Sequence, residues 1–284
     1  MEKSLIWNEE QIINFYDAVY PWISEGDPWH TEFFCLAARK KYMTEEQKRS
    51  INLGDTCMMF KTIIKDHNPK KFLAKVHQAD AAADYFTDKD GNYIPKDCIV
   101  YYININRTNV LKAMREFKGL LNEWDYDLGT LLEFNNTNKR ENIGNQLKTV
   151  QNNLLKSFQD PKNIEGDWLD IDCDFGTEFD AKAYKEALMD FLATTDVYIV
   201  STHGGCHILI SKFAISEYNK SMAQIYSRKE MKNQAMTLEK ILTFVREMIL
   251  SDFPEADVKE IKLNQNQAVP LPGTFQGDFP VSFV

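Results

Sequence analysis

Four aspartates lie close together in the stretch GDWLDIDCDF, residues 166–175. The apolar residues between them predict a β-strand, and side chains on a strand alternate between its two faces. The predicted polar face carries the residues Trp168, Asp170, Asp172 and Asp174. Carboxylates on one face would lie about 7 Å apart and would repel each other without a cation between them. The stretch therefore predicts a metal site, with a solvated edge strand of an acidic protein as the alternative.

A histidine follows on a later predicted strand, in the sequence THGGCHILIS at residues 202–211. Alternation along that strand puts His207 opposite to the apolar side chains, on the same face of the sheet as the aspartates. The adjacent Gly204 and Gly205 let backbone N–H groups approach an anion closely. A structural role for His207 is the alternative. Carboxylates, a histidine and a glycine pair together suit two-metal phosphoryl or nucleotidyl transfer.

The order of the predicted elements indicates how these residues meet. After residue 166 the pattern reads strand, helix, strand, strand, helix, strand, the order of ferredoxin-like folds and RNA-recognition motifs. Its helices are predicted to begin at Asp180 and Thr237, and its fourth strand near residues 258–263. In that topology the first strand lies between the third and fourth, so the aspartates would face both. Side-chain alternation favours Glu260 as a third acid, and Asp257 is the alternative.

The first half of the chain predicts a separate group of helices and strands. Helices are predicted to begin at Asn8, Thr44, Asn68 and Thr108, the last ending near Trp124. The β-branched and aromatic stretch CIVYYININ, residues 98–106, predicts a strand. Residues 28–42 are expected to pack this module, with a functional loop at Trp29 and His30 as the alternative. Residues 135–165 are polar and predict a connection with one weakly amphipathic helix.

Composition limits the class of protein. The chain has 284 residues, a formal charge of −9 and 44% hydrophobic residues, which is typical of a folded protein of one or two modules. It has no apolar run of the roughly 20 residues that a membrane span needs, and its N-terminus does not resemble a secretory signal. The five cysteines form no CxxC pair. We therefore expect a cytoplasmic location with reduced thiols.

The acidic charge argues against a protein that coats nucleic acid, because such proteins are normally basic. It leaves open a nucleic-acid enzyme whose basic residues are concentrated in one groove. The basic residues near 39–41 and 61–75 are the candidates for that groove.

Three motifs in order resemble those of the archaeo-eukaryotic primase superfamily, and most closely the primase-polymerases of phages and plasmids. The first motif, two acids separated by a hydrophobic residue, is matched by Asp170 and Asp172 in WLDIDCDF. The second, a small residue, any residue and then histidine, is matched by Gly205 and His207. The third is an acid upstream of a PGT-like turn, here PLPGT. The family's spacing favours Asp257 for that acid, against Glu260 from alternation.

The resemblance implies an α+β primase-polymerase core. We expect an N-terminal α/β module over residues 1–160 and an RNA-recognition-motif-like catalytic module over residues 161–284. The family's motif is complete without Asp174, which is therefore not expected to be a required ligand. The position after PLPGT departs from the family, because Gln276 stands where a lysine or arginine is expected.

The implied activity is that of a DNA primase or polymerase, which joins dNTPs or NTPs on a single-stranded DNA template. Mg²⁺ or Mn²⁺ would be held by Asp170, Asp172 and either Asp257 or Glu260, and His207 would bind the incoming triphosphate. Further expected nucleotide contacts are Arg107, Gly205 and Thr274. A helicase domain or protein is a further expected partner.

Two other functions remain open at this point. A rolling-circle initiator nuclease needs two histidines on one strand face and a nucleophilic tyrosine, for which Tyr218 is the candidate. His203 and His207 are four residues apart, so only one of them is expected to face the cleft. The non-enzymatic alternative is a single-strand-binding module that holds no metal.

Overall fold

The chain folds as an α+β protein, with helices packed around antiparallel β-sheets. The computed structural model describes residues 4–20, 29–64, 68–133, 139–176, 178–226, 230, 234–264 and 268–284, with the backbone alone for 124–133 and 139–148. The longer helices are α1 Glu9–Val19, α2 Glu45–Ser50, α3 Pro69–Ala83, α4 Val110–Glu133, α5 Lys139–Gln159, α6 Ala181–Leu192, α7 Lys212–Ile225 and α8 Leu238–Asp252. Single 3₁₀ turns lie at Lys40–Tyr42, Lys96–Cys98, Pro161–Asn163 and Val258–Glu260.

The strands form two sheets and a short ribbon. They are β1 His30–Arg39, β2 Thr56–Ile64, β3 Ile99–Asn104, β4 Arg107–Asn109, β5 Ile164–Glu165, β6 Trp168–Asp174, β7 Val197–Thr202, β8 Gly205–Ser211, β9 Ile261–Leu263, β10 Ala268–Pro270, β11 Phe275–Gln276, β12 Phe279–Pro280 and β13 Ser282–Phe283. The first sheet has the order β10-β3-β1-β4-β5, with β2 also paired to β1. The second sheet has the order β13-β7-β8-β6-β9.

The second sheet confirms the predicted position of the aspartate strand. Strand β6 lies between β8 and β9, the third and fourth strands after residue 166. Two strands from residues 161–284, β5 and β10, join the first sheet instead. The chain therefore crosses between the sheets on both sides of the segment that carries the acids.

The first sheet was largely missed from the sequence. Residues 28–42 were expected to pack the N-terminal module, and no strand was predicted there. In the structure they contain β1, the strand to which β2, β3 and β4 all pair. Its interior residues are buried on both faces, so the sequence shows a continuous apolar run and no alternation. The prediction of a strand at 98–106 is confirmed by β3.

Side-chain caps begin most helices where they were predicted. Three predicted caps accept a hydrogen bond from the first turn of their helix: Asn8, Thr44 and Asp180. Asn68, at the predicted start of its helix, does the same. Thr237 caps α8 in the same way. The prediction for Thr108 is wrong, because this residue lies in β4 and its hydroxyl donates to the carbonyl of Phe158 at 2.8 Å. Asn109 instead accepts from the N–H of Lys112 at the start of α4, and α4 continues to Glu133 rather than ending near Trp124.

Two further segments differ from the prediction or lie partly outside the described residues. The fourth strand is shorter than predicted, because residues 258–260 form a 3₁₀ turn and only Ile261–Leu263 are extended. The predicted connection at 135–165 contains α5, and its residues 135–138 lie outside the described residues, as do 65–67 of the basic stretch 61–75.

Buried side chains attach both faces of the second sheet to the rest of the molecule. One face contributes Trp168, Val200 and Leu209 to a core shared with the first sheet, α1 and α3. The other face contributes apolar residues of β6 and β8, among them Ile171 and Ile208, to a core shared with α6 and α8. The predicted alternation of β6 is therefore confirmed. Among the described residues, no helix is long and apolar enough to cross a membrane.

Candidate active site

A cavity of about 790 Å³, here called the inter-sheet cavity, is lined by residues of both sheets. The first sheet contributes the outward faces of β1, β2, β3 and β10, including Phe33, Met58 and Tyr102. The second sheet contributes the ends of β6, β7 and β8. Alternation explains this wall of the first sheet, because the residues between the lining ones, such as Phe34 and Tyr101, point into the shared core.

The polar face of β6 runs from the protein core into the inter-sheet cavity. Trp168 is buried in the shared core, and the side chain of Asp170 is only 1% exposed. The side chain of Asp172 is 33% exposed and lines the cavity together with Asp174. Asp172 and Asp174 therefore face the cavity, whereas the carboxylate of Asp170 is buried and does not line it.

His207 lies directly opposite Asp172 on the neighbouring strand β8. Its Nδ1 is 3.1 Å from Oδ1 of Asp170, and its Nε2 is 3.7 Å from Oδ1 of Asp172. A carboxylate only accepts hydrogen bonds, so Nδ1–H donates to Asp170 and Nε2 is directed towards Asp172 and the cavity. The sequence predicted that His207 would lie beside the aspartates, and the structure confirms it.

Asn264 completes the environment of Asp170. Its side-chain N–H₂ donates to Oδ2 of Asp170 at 2.6 Å and to the carbonyl of Ala268 at 3.1 Å. Both oxygens of Asp170 are thus engaged, one by His207 and one by Asn264. Asp170 fixes the orientation of the imidazole, much as a carboxylate does for a histidine that binds a ligand through its other nitrogen. Sequence reasoning did not identify Asn264.

The protonation of this cluster reflects burial and crowding of charge. Burial raises the pKa of Asp172, and the negative charges of Asp174 and Asp170 raise it further, against the opposing effect of His207. Burial alone would lower the pKa of His207, but the charge and hydrogen bond of Asp170 and the charge of Asp172 together raise it above its ordinary value. The site therefore favours a positively charged imidazole and attracts further positive charge.

Basic side chains form another part of the cavity wall. Arg39 ends β1, donates a hydrogen bond to the hydroxyl of Tyr102 and lines the inter-sheet cavity with Lys41. Burial and the charge of Arg39 lower the pKa of Lys41, while Asp174 and Asp172 act in the opposite direction. The basic residues near 39–41 thus lie within electrostatic range of the acids.

The fourth strand presents a lysine rather than an acid to Asp172. Lys262 is the residue of β9 in register with Asp172. Its Nζ is 2.7 Å from Oε2 of Glu260, so that Glu260 is paired with this lysine. Asp257 lies at the start of the 3₁₀ turn, where its side chain accepts from the N–H of Lys259. Neither predicted third acid is brought together with Asp170 and Asp172.

The adjacent glycines Gly204 and Gly205 have different roles. Gly204 lines the inter-sheet cavity. Gly205 has φ +150°, and a Cβ there would lie 2.0 Å from the carbonyl oxygen of Cys173. Glycine is thus required at 205 by the close approach of β8 to β6.

Three predicted nucleotide contacts lie outside the residues that line the cavity, namely Gly205, Arg107 and Thr274. Arg107 forms an ion pair with Asp167, with Nε 2.9 Å from Oδ2. Thr274 is fully buried and its hydroxyl donates to the carbonyl of Leu271 at 2.6 Å, which holds the PLPGT turn. Gln276 beyond that turn does line the cavity, and it accepts from the N–H of His203 at 2.9 Å.

The residues required for an initiator nuclease are separated. The ring of His203 packs against Tyr42, with 5.5 Å between ring centroids, rather than beside His207. Tyr218 packs against the core shared with α6 and α8, on the face of the second sheet opposite to His207. Trp29 is exposed and His30 pairs with Glu165 at 3.1 Å.

The donor set fits a Mg²⁺ or Mn²⁺ ion that takes part of its coordination from a ligand. Among the described residues, no group of three or more histidine, cysteine or acidic side chains is placed to hold a metal by itself. Mg²⁺, however, commonly uses one or two carboxylates and completes its shell with water and substrate phosphates. Asp172 and Asp174 supply such a pair in the cavity.

Comparison of the chain with models of protein families, with curated proteins and with solved structures finds no match. The interpretation of the cavity therefore rests on its own residues.

Proposed function

We propose that the inter-sheet cavity is the active site of a nucleotidyltransferase that joins nucleoside triphosphates on a single-stranded DNA template, as a primase or polymerase does. The observation that carries the proposal is that an acidic wall and a basic wall line one cavity. Asp172, Asp174 and His207 lie on one wall, and Arg39 and Lys41 lie on the other. A nucleoside triphosphate is bound by a divalent cation and by fixed positive charge. One such ligand would contact the acidic wall through the cation and the basic wall directly.

Each wall has a distinct part in this proposal. Asp172 and Asp174 would hold Mg²⁺ or Mn²⁺, which when bound lowers the pKa of the attacking hydroxyl and neutralises charge on the leaving pyrophosphate. His207, oriented by Asp170, would donate from Nε2 to a phosphate oxygen. Arg39 and Lys41 would contact the phosphates from the first sheet.

The apolar part of the cavity suits a base and a sugar. Phe33, Met58 and Tyr102 line it from the first sheet, and the exposed fraction of Met58 is 43%. Aromatic and sulfur-containing side chains pack against the flat face of any base without distinguishing one base from another. This suits an enzyme in which pairing with the template, and not the protein, selects the incoming base. The cavity volume of about 790 Å³ is in the range of nucleotide-sized ligand sites.

We also propose that the chain has the core fold of a primase-polymerase. The strand order around β6 supports an RNA-recognition-motif-like catalytic module over residues 161–284, next to an N-terminal module over 1–160, within a primase-polymerase core. Single-stranded DNA and dNTPs or NTPs are the proposed partners, with a helicase as a further one. A cytoplasmic setting, that of the host for a phage protein, suits such an enzyme.

One incubation tests the proposal. The full chain is mixed with single-stranded template, labelled dNTPs or NTPs, and Mg²⁺ or Mn²⁺, with and without a primer, and the products are separated by length. We expect template-dependent products from the wild type and none from Asp172→Ala, whose circular dichroism and thermal unfolding stay near the wild-type values because Asp172 lies at the cavity surface. Equal product from both proteins would refute the assignment. Covalent attachment of DNA through Tyr218, or metal-independent binding without synthesis, would point to the nuclease or the binding module.

A further inference from the structure

A second cavity, of about 360 Å³, adjoins the proposed active site. We call it the basic cleft, and its lining residues are Arg39, Lys40, Lys41, Lys48, Asp55 and Thr56. Four cations and one carboxylate line it, in a chain whose formal charge is −9. Three of these residues, Arg39, Lys41 and Thr56, also line the inter-sheet cavity. The two cavities therefore share part of their lining at the ends of β1 and β2.

The backbone around the basic cleft is fixed by strand pairing. Arg39 is in register with Thr56 at the ends of β1 and β2, and the N–H of Lys40 donates to the carbonyl of Asp55 at 3.0 Å. Lys48 enters from α2, where its Nζ is 2.8 Å from Oε1 of Glu45. Cations from a strand end, a 3₁₀ turn and a helix thus converge on one depression.

Like charges held this close repel each other, and an anion relieves the repulsion. The lowered pKa of Lys41, caused by burial and then by Arg39, is consistent with that crowding. Arginine with several lysines suits phosphate in particular, because the guanidinium binds two of its oxygens at once and the ammonium groups add charge.

We infer that the basic cleft binds a phosphate group. This phosphate is the neighbour of the phosphates that occupy the inter-sheet cavity. The source of the phosphate rests on the proposed function: it is either the backbone of a single-stranded nucleic acid or the end of a nucleotide's phosphate chain. Lys40 and Lys48 are its distinguishing residues, because they line the basic cleft and are not among the residues that line the inter-sheet cavity.

Equilibrium binding without divalent cation tests the inference separately from catalysis. The probes are inorganic triphosphate and a short oligothymidylate with a 5′-hydroxyl, titrated into the full chain by calorimetry. The variant is Lys40→Ala with Lys48→Ala. The control is Lys182→Ala with Lys220→Ala, which removes the same charge and also breaks surface ion pairs with glutamates, those of Glu186 and Glu217.

We expect the cleft variant to bind one probe about tenfold more weakly than the control variant does. Weaker binding of oligothymidylate, with a smaller salt dependence, identifies a nucleic-acid backbone as the source. Weaker binding of triphosphate alone identifies a nucleotide. Equal affinities of the two variants for both probes would overturn the inference, as would a wild type that binds neither. If only the cleft variant loses affinity for a probe, but the wild type makes no product in the incorporation assay, the proposed function is refuted and the inference stands.

Discussion

The two walls of the inter-sheet cavity are built in different ways. The acidic wall comes from adjacent positions on neighbouring strands, where Asp172, Asp174 and His207 are fixed by the pairing of β6 with β8. The basic wall comes from Arg39 at the end of β1 and Lys41 in the turn after it. Both side chains are longer than those of the acids. Strand pairing holds the acids at fixed spacing, whereas the cations can adjust to the ligand. In the proposed enzyme, the acidic wall sets the geometry of the metal and the basic wall sets the affinity for phosphate.

After the loss of synthesis expected of Asp172→Ala, the largest expected effect in the comparison of the walls comes from the basic side. Arg39→Ala should raise KM for the nucleotide about tenfold to a hundredfold, because a charged hydrogen bond contributes about 1.5–3 kcal/mol. Its effect on kcat should be smaller, since the acids stay in place. Steady-state kinetics with varied nucleotide checks this, with the exposed Arg115→Ala as control. A loss confined to kcat would show that the division of roles between the walls is wrong.

An intermediate effect is expected at the buried end of the acidic wall. Asp170→Asn removes the charge that orients His207 and should cost about 1–3 kcal/mol of unfolding free energy, as for a buried hydrogen bond to a charged group. The pKa of His207 in the metal-free protein should fall, because the charge of Asp170 and its hydrogen bond raise it. Urea unfolding and an NMR titration of the imidazole measure the two quantities.

The sign of the pH dependence follows from the raised pKa of His207. A histidine whose pKa is higher in the folded state stabilises fully below its unfolded pKa, about 6.5, and loses this contribution as pH rises through the folded pKa. The stability difference between wild type and Asp170→Asn should therefore shrink as pH rises above about 6.5. A difference that is constant with pH would mean that Asp170 does not act through His207.

The smallest expected effect separates the two candidates for a third acid. Glu260 is linked to the acidic wall through Lys262, whereas Asp257 only caps a turn. Glu260→Gln should reduce synthesis about threefold, in keeping with an exposed ion pair worth about 0–1 kcal/mol. Asp257→Asn should have less effect. The same incorporation assay compares them, and a greater loss in Asp257→Asn would return that residue to the site.

The acidic wall was predictable from the sequence and most of the first sheet was not. β6 has one apolar and one acidic face, so alternation assigned Asp172 and His207 to the same side. β1 is buried on both faces, so no alternation marks it, and the strand that carries Arg39 was missed. Basic residues near 39–41 were noted from charge alone.

Two errors at the site have local causes. The fourth strand was predicted from residue 258, whereas β9 begins at Ile261. Glu260 therefore lies in the turn before the strand, and Lys262 is the residue in register with Asp172. Asn264 follows β9 in a loop, where no periodic pattern marks it. Asp174 was set aside because the family motif is complete without it, yet it lines the cavity.

Titration of Mn²⁺ followed by electron paramagnetic resonance, with and without an unreactive dNTP analogue, tests the central claim most directly. The wild type should bind Mn²⁺ through Asp172 and Asp174, and the analogue should tighten that binding because its phosphates complete the coordination. Asp172→Asn and Asp174→Asn should each weaken Mn²⁺ binding at least about tenfold and remove the effect of the analogue. Unchanged Mn²⁺ binding in the double variant would contradict the account.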